Sequence, residues 1–226
     1  TYRFARKATA EGLVVIDDPR SIVRCTNKVF LAELLSRHRI PGPKTIVVHR
    51  ENAEEVERHL GFPCVLKQPD SAFSFGVVKV ANSEELGRAL DTLFNRSEYV
   101  VAQEYIYTEF DWRIGILNQK PLYACKYFMA RNHWQIYNWQ AGKKSRYGKW
   151  ETLPVERAPK AVVQSALRAA NSIGDGFYGV DVKQRGKNIY VIEVNDNPSI
   201  ESGVEDKILG EKLYLEVRDE GMFSMS

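Results

Sequence analysis

"FYGVDVKQRGKNIYVIEVNDNPSI", residues 177–200, decides the reading of this chain. Two apolar runs flank Arg185-Gly186-Lys187, and both carry polar groups where a buried strand would carry none. Alternate residues of a strand share a face, so Glu193 and Asn195 point together. Asp181 precedes Glu193 by twelve positions. In an antiparallel hairpin an even separation sets two residues opposite each other when the loop has an odd number of residues. Arg185-Gly186-Lys187, or a five-residue version of it, supplies that loop, with Gly186 free to take a positive φ. Asp181, Glu193 and Asn195 can therefore converge on one face. Two carboxylates and an amide oxygen form a hard ligand set suited to Mg²⁺ or Mn²⁺, with waters and phosphate oxygens completing the shell. The alternative is a solvated sheet face on which Lys183 pairs with an acid. Neither Cys nor His joins the set, which argues against zinc. Asn197-Pro198-Ser199 then imposes a turn at the mouth of this face.

A metal held by so few side chains implies a nucleotide among its remaining ligands, so phosphate-binding chemistry is expected elsewhere. Lys67 closes the apolar run "CVLK" and precedes the loop "DSAFSF" at 70–75. Ser71, Ser74 and Gly76 there can aim hydroxyls and N–H groups at phosphates. No Walker sequence and no GxGxxG is present. Lys28 opens a helix and, taken alone, reads as a solvated lysine. "QEYI", Gln103-Glu104-Tyr105-Ile106, ends an apolar strand and can offer backbone groups to an adenine edge. Asp111 follows at a spacing that lets a carboxylate reach ribose hydroxyls. Arg113 shares its strand face and can meet phosphates, or the two can form a local salt bridge.

Composition sets the limits. The 226 residues suit one large domain or two lobes. Lys plus Arg number 32 against 29 for Asp plus Glu, too small an excess to indicate nucleic acid. No apolar run approaches the roughly eighteen residues of a membrane span. Cys25, Cys64 and Cys125 are odd in number and far apart, which fits a reducing, cytoplasmic setting.

Along the chain, a basic helix opens the sequence and a short strand, "LVVI", follows at 13–16. A helix over 27–39 is capped by Thr26 or Asn27 and ended by "PGP". Strands are predicted at "TIVVH", "PCVLKQP", "GVVKVAN" and "YVVAQEYI", with helices at "AEEVERHL" and "SEELGRALDTLF". "DWRIGILN" and "PLYACKYFMA" read as a hairpin around Gln119-Lys120. The segment 132–150 is aromatic, basic and irregular. "APKAVVQSALRAANSIG" is a helix, and a last helix is expected over 207–221.

In order, Lys28, "VLKQPDSAFSFGVV", "VVAQEYI", "DWRIGIL", "YGVDV" and "IEVNDNPSI" resemble the ATP-grasp superfamily, and most closely its RimK-type and glutathione-synthetase-like carboxylate–amine ligases. The resemblance covers about residues 22–205. It implies an α+β fold of two lobes with mainly antiparallel sheets clasping ATP. The expected division is 1–25 as the remnant of an N-terminal domain, 26–105 as linker helix and small lobe, and 106–226 as the large lobe with the metal site. It implies that Lys28 and Lys67 contact phosphates, that the loop with Ser74 covers them, and that Gln103, Glu104, Tyr105 and Ile106 form the adenine hinge. Asp111 would hold the ribose and Arg113 the transferring phosphoryl group. Asp181, Glu193 and Asn195 would bind two Mg²⁺ or Mn²⁺ ions. Asn138 falls where such chains carry an asparagine before a substrate loop. The basic residue expected on the strand after Arg113 has Lys126 as its nearest candidate. The phosphate loop departs from the family in keeping only Gly76 and inserting Phe73 and Phe75.

The reaction so implied joins a carboxylate to an amine through an acyl phosphate, releasing ADP and phosphate, with small-molecule or peptide substrates. A homo-oligomer is compatible with it, and a further N-terminal domain would complete the acceptor site. Lys143, Lys144, Arg146 and Lys149 could form a basic lip for an acidic substrate; a solvated loop is the favoured reading of them. The rivals are a D-Ala–D-Ala-like or peptide-macrocyclising ligase and a nucleotide-binding module without turnover.

Overall fold

The structure is a computed structural model and describes residues 1–16, 18–70, 76–142 and 146–223. Two helices open the chain, α1 (Tyr2–Ala10) and α2 (Pro19–Thr26). Residues 1–25 group with residues 108–226 as one compact unit, and residues 26–107 form a second.

The 26–107 unit begins with α3 (Lys28–Arg37). Asn27 caps it by accepting from the Phe30 N–H at 3.0 Å. The elements that follow are β1 (Thr45–Val48), α4 (Glu55–Leu60), β2 (Cys64–Lys67), β3 (Val77–Val80), α5 (Ser83–Phe94) and β4 (Val100–Glu104). The strands pair antiparallel in the order β1-β4-β2-β3. Asn82 caps α5 through the Glu85 N–H, and Leu86, Leu90 and Leu93 recur at helical spacing on its buried side. They pack with Leu66, Val100 and Ala102 from one face of the sheet. Pairing places Thr45, Val65, Lys67, Val101 and Gln103 on the opposite face.

In the other unit, the strands are β5 (Phe110–Leu117), β6 (Lys120–Phe128), β7 (Trp150–Leu153), β8 (Phe177–Arg185) and β9 (Asn188–Asn195). They form an antiparallel sheet in the order β7-β6-β5-β8-β9. Helix α6 (Lys160–Ile173) packs on β8 and β9, burying Val162, Ala166, Ala169 and Ile173. Ile114, Val180, Val182, Val191 and Val194 are buried in the sheet beneath. On the other face, Leu117, Tyr123, Cys125 and Phe177 pack with Leu213 of α7 (Glu211–Phe223).

Several expectations need correction. Leu13–Ile16 joins no sheet: Gly12 takes φ +80° and the Leu13 N–H bonds back to the Ala8 carbonyl, so the run begins as the cap of α1. Helix α2 went unread, although Asp18 caps it through the Arg20 and Ser21 N–H groups. Strand β7 went unread beyond Trp150, the last residue of the segment read as irregular. The β5–β6 turn is Asn118-Gln119, one residue earlier than expected, with both residues at positive φ as a two-residue hairpin turn requires.

Candidate functional site

Both hairpins of the large sheet carry a register shift, and these shifts decide which side chains meet. Strands β8 and β9 close on a two-residue turn, Gly186-Lys187, between Arg185 and Asn188. With that even turn alone, Asp181 would face Ile192 and Glu193 would point to the other side of the sheet. A β-bulge at Ile192 lets Val182 pair with Val191 while Asp181 pairs with Glu193 and Gly179 with Asn195. The pairing predicted from an odd loop is thus reached through an even turn plus a bulge. Asp181, Glu193 and Asn195 lie on one face. The Asn195 amide donates to the Gly179 carbonyl at 3.2 Å and to Asp181 Oδ2 at 3.4 Å.

Strand β5 brings its own pair to this face. Arg113 lies directly across from Asp181. Its Nε and Nη2 donate to the two carboxylate oxygens at 2.8 and 2.9 Å, a bidentate pair with side chains only 11% and 17% exposed. Asp111 accepts from Lys183 Nζ at 2.6 Å and from Thr108 Oγ1 at 3.0 Å. Burial raises the Asp111 pKa, against the opposing pull of Lys183. Burial also pulls the Arg113 pKa down, but the Asp181 carboxylate outweighs it and holds the guanidinium well above its ordinary range. The local ion pair that was the alternative reading of Asp111 and Arg113 is therefore replaced by two pairs, each to β8. Lys183 does pair with an acid of this face, as the alternative reading of the hairpin had it, but that acid is Asp111.

The β5–β6 hairpin has its own bulge at Leu122, where Gly115 pairs with Tyr123 and Ile116 with Pro121. The shift sets Cys125 across from Arg113 and Tyr127 across from Asp111. Lys126 pairs with Trp112 and points away. Its ammonium lies 5.3 Å from the Phe110 and Trp112 ring centres and 2.9 Å from Glu151. Lys126, the candidate for the second basic residue, is thus on the wrong face of the sheet. Tyr127 occupies the position, its ring 5.3 Å from the Arg113 guanidinium and its hydroxyl bonded to buried Glu205. Sequence reasoning missed Tyr127 and Glu205. The irregular apolar spacing around Pro121 was the one available signal of the bulge.

In the 26–107 unit, Lys67 Nζ donates to Gln103 Oε1 at 2.7 Å, and Gln103 Nε2 donates to Thr45 Oγ1 at 3.0 Å. The Lys28 N–H bonds to the Pro69 carbonyl at 2.9 Å and Asn27 bonds Asp70 at 2.8 Å, tying the start of α3 to the segment that enters the predicted phosphate loop. Ser71, Phe73, Ser74 and Phe75 lie outside the described residues, as do Lys143 and Lys144. Glu104 ends β4, its N–H bonded to the Lys44 carbonyl, and Tyr105 and Ile106 follow it; Tyr105 receives Lys79 on its ring and Ile106 is buried. Asn138 closes a local turn, its Oδ1 accepting from the Gln140 N–H at 3.2 Å.

Among the described residues, no three His, Cys, Asp or Glu side chains gather as a metal cluster. Asp181, Glu193 and Asn195 nonetheless share one face through the β8–β9 pairing, and their side chains carry oxygens of the hard type that divalent cations take. A cation there would share Asp181 with Arg113 or displace it.

Residues 40–203 match the family described as the D-Ala D-Ala ligase C-terminus. The chain belongs to this family. Its fold is the ATP-grasp fold: a D-alanine–D-alanine ligase structure from Bacillus anthracis superposes with a TM-score of 0.75 over 92% of this chain and 71% of that one, at 22% identity. Among relatives, the alpha-aminoadipate–LysW ligase LysX of Saccharolobus solfataricus is 28% identical over 209 residues, covering 85% of this chain and 69% of the relative. A probable alpha-L-glutamate ligase of Vibrio vulnificus is 25% identical over 198 residues, covering 86% of this chain and 62% of the relative. These relatives are named as ligases, and this chain is an ATP-grasp ligase of that family.

Proposed function

We propose that the chain activates a carboxylate with ATP and passes it to an amine, adding an amino acid to a peptide, protein or small acid in the cytoplasm. The observation that carries this reading is the pairing of Asp181 with Glu193, with Asn195 on the same face and Arg113 across the adjacent strand pair. Divalent Mg²⁺ or Mn²⁺ held by these oxygens would neutralise the phosphate charge. Lys28 and Lys67 would bind nucleotide phosphates, Gln103–Ile106 the adenine, and Asp111 the ribose once Lys183 yields part of its contact. Arg113 would stabilise charge on the γ-phosphoryl group as the acceptor carboxylate attacks it. ADP leaves, the amine attacks the acyl carbon, and phosphate is expelled. This route requires no side-chain nucleophile, and burial pushes the Cys64 and Cys125 thiols up to about 11, so both stay protonated at neutral pH.

The LysX and glutamate-ligase relatives favour an acidic amino acid as one substrate over a D-alanine pair. The test is hydroxylamine trapping with Mg·ATP and a panel of amino acids and glutamate-terminated peptides. Hydroxamate together with ADP is the expected result. AMP in place of ADP overturns the acyl-phosphate route, and nucleotide binding with no ADP from any acid supports a binding module instead.

A further inference from the structure

Glu205 has no exposed surface, and none of the ion pairs among the described residues includes it. Its two carboxylate oxygens accept from the Tyr127 hydroxyl and from the Glu201 N–H, the latter at 2.8 Å. A buried carboxylate costs stability that a packed apolar residue would not, unless its bonds fix a geometry the protein needs. What these bonds fix is visible on both sides. Tyr127 lies on the sheet face of Asp111 and Arg113, its ring 5.3 Å from the Arg113 guanidinium. The segment from Asn195 to Glu205 crosses this face. Gly179 leaves room for it, since a Cβ there would stand 2.7 Å from Pro198 Cβ. Ile200 packs among Leu117, Tyr123 and Cys125, and Thr152 of the edge strand donates to the Val204 carbonyl at 2.7 Å. Glu205 thus joins the far end of this strap to the ring beside Arg113.

We propose that Tyr127 and Glu205 are a positioning pair that holds Arg113 in place to meet the γ-phosphate, at the strand position where a second cation was expected. The inference rests on the nucleotide reading above. Arg113 otherwise has Asp181 as its bidentate anchor, which a cation bound at Asp181 would weaken. The Tyr127 ring then keeps the guanidinium in line, because the Glu205 bond fixes the ring. Neither residue touches the nucleotide; both act through Arg113.

The pair makes a distinction that a merely structural role does not. Arg113 senses the γ-phosphate, so loosening it weakens binding of Mg·AMP-PNP and leaves Mg·ADP alone. Calorimetric titration of each nucleotide into the full chain and into Y127F, E205L and E205Q reads this directly. In Y127F and E205L the AMP-PNP affinity falls roughly five- to tenfold while the ADP affinity stays within about twofold. E205Q keeps the wild-type preference, since its amide can donate to the phenol oxygen while its carbonyl accepts from the Glu201 N–H. Melting curves run alongside identify any variant that has lost its fold, and Y127F and E205L each carry the test alone if the other unfolds. Retained AMP-PNP preference in Y127F and E205L overturns the inference and leaves the nucleotide reading standing. An equal loss for both nucleotides also overturns it, because it marks a packing role. Failure of the wild-type chain to bind either nucleotide overturns the nucleotide reading, and this inference with it.

Discussion

The two hairpins of the large sheet have the same plan and opposite consequences for the site. Each closes on a two-residue turn and each carries one bulge on its second strand. In β8–β9 the bulge at Ile192 brings an acid to the polar face, so that Glu193 meets Asp181. In β5–β6 the bulge at Leu122 takes a base away from it, so that Lys126 points at Trp112 and Tyr127 takes its place. A one-residue shift inverts every side chain beyond it. The chemistry of the face is therefore set as much by where the ladders slip as by which residues the strands contain.

The largest effect is expected at Glu193. E193Q is expected to bind nucleotide and to lower ADP formation by about 10³-fold, as loss of a metal-bridging charge implies. The double swap I192E/E193I keeps composition and moves the acid into the bulge, and it should lose as much. ADP release under saturating nucleotide measures both; wild-type turnover in the swap would show that the bulge does not set the face.

Arg113 and Lys126 come next. R113Q should lower transfer by about 10²-fold through loss of a charge donor at the developing phosphate charge. K126Q should stay within about fivefold of wild type, because its ion pair with Glu151 is worth ~0–1 kcal/mol and lies on the other face. Equal losses in the two variants would refute the assignment of faces.

The glycines under each crossing follow. A Cβ at Gly115 would stand 2.1 Å from the Tyr123 ring, and one at Gly179 would stand 2.7 Å from Pro198 Cβ. G115A and G179A should each destabilise by roughly 1–3 kcal/mol in urea unfolding, as overpacked sites do. G179A should further weaken nucleotide binding, since it lifts the strap next to Asn195. G115A, beneath the apolar part of the face, should not.

The sequence allowed the reading of the elements whose signals are local. Asn82 caps α5 and Gly61 ends α4, and capping and positive φ are chemistry of a few adjacent residues. The alternation of Glu193 and Asn195 was legible for the same reason. What the sequence did not reveal was where the ladders slip. The burial order in β9, with Val191 and Val194 both inside and Ile192 and Glu193 between them, carries the bulge, but Ile192 is as apolar as the two valines and hides it. In β6, Lys126 and Tyr127 are adjacent, and nothing local says which of them faces Arg113. Glu205 was illegible because its partner, Tyr127, lies 78 positions away on β6. Asp111 and Arg113 suggested a pair to each other, but the sheet offered each a closer partner across the ladder on β8.

The central claim is that Asp181, Glu193 and Asn195 together hold divalent cations for a nucleotide. Mn²⁺ titration in the presence of ADP, followed by electron paramagnetic resonance, tests it most directly. The account predicts saturable Mn²⁺ binding by the wild-type chain that drops at least about tenfold in E193Q, with the fold intact by circular dichroism. Equal Mn²⁺ affinity in the two proteins would contradict it.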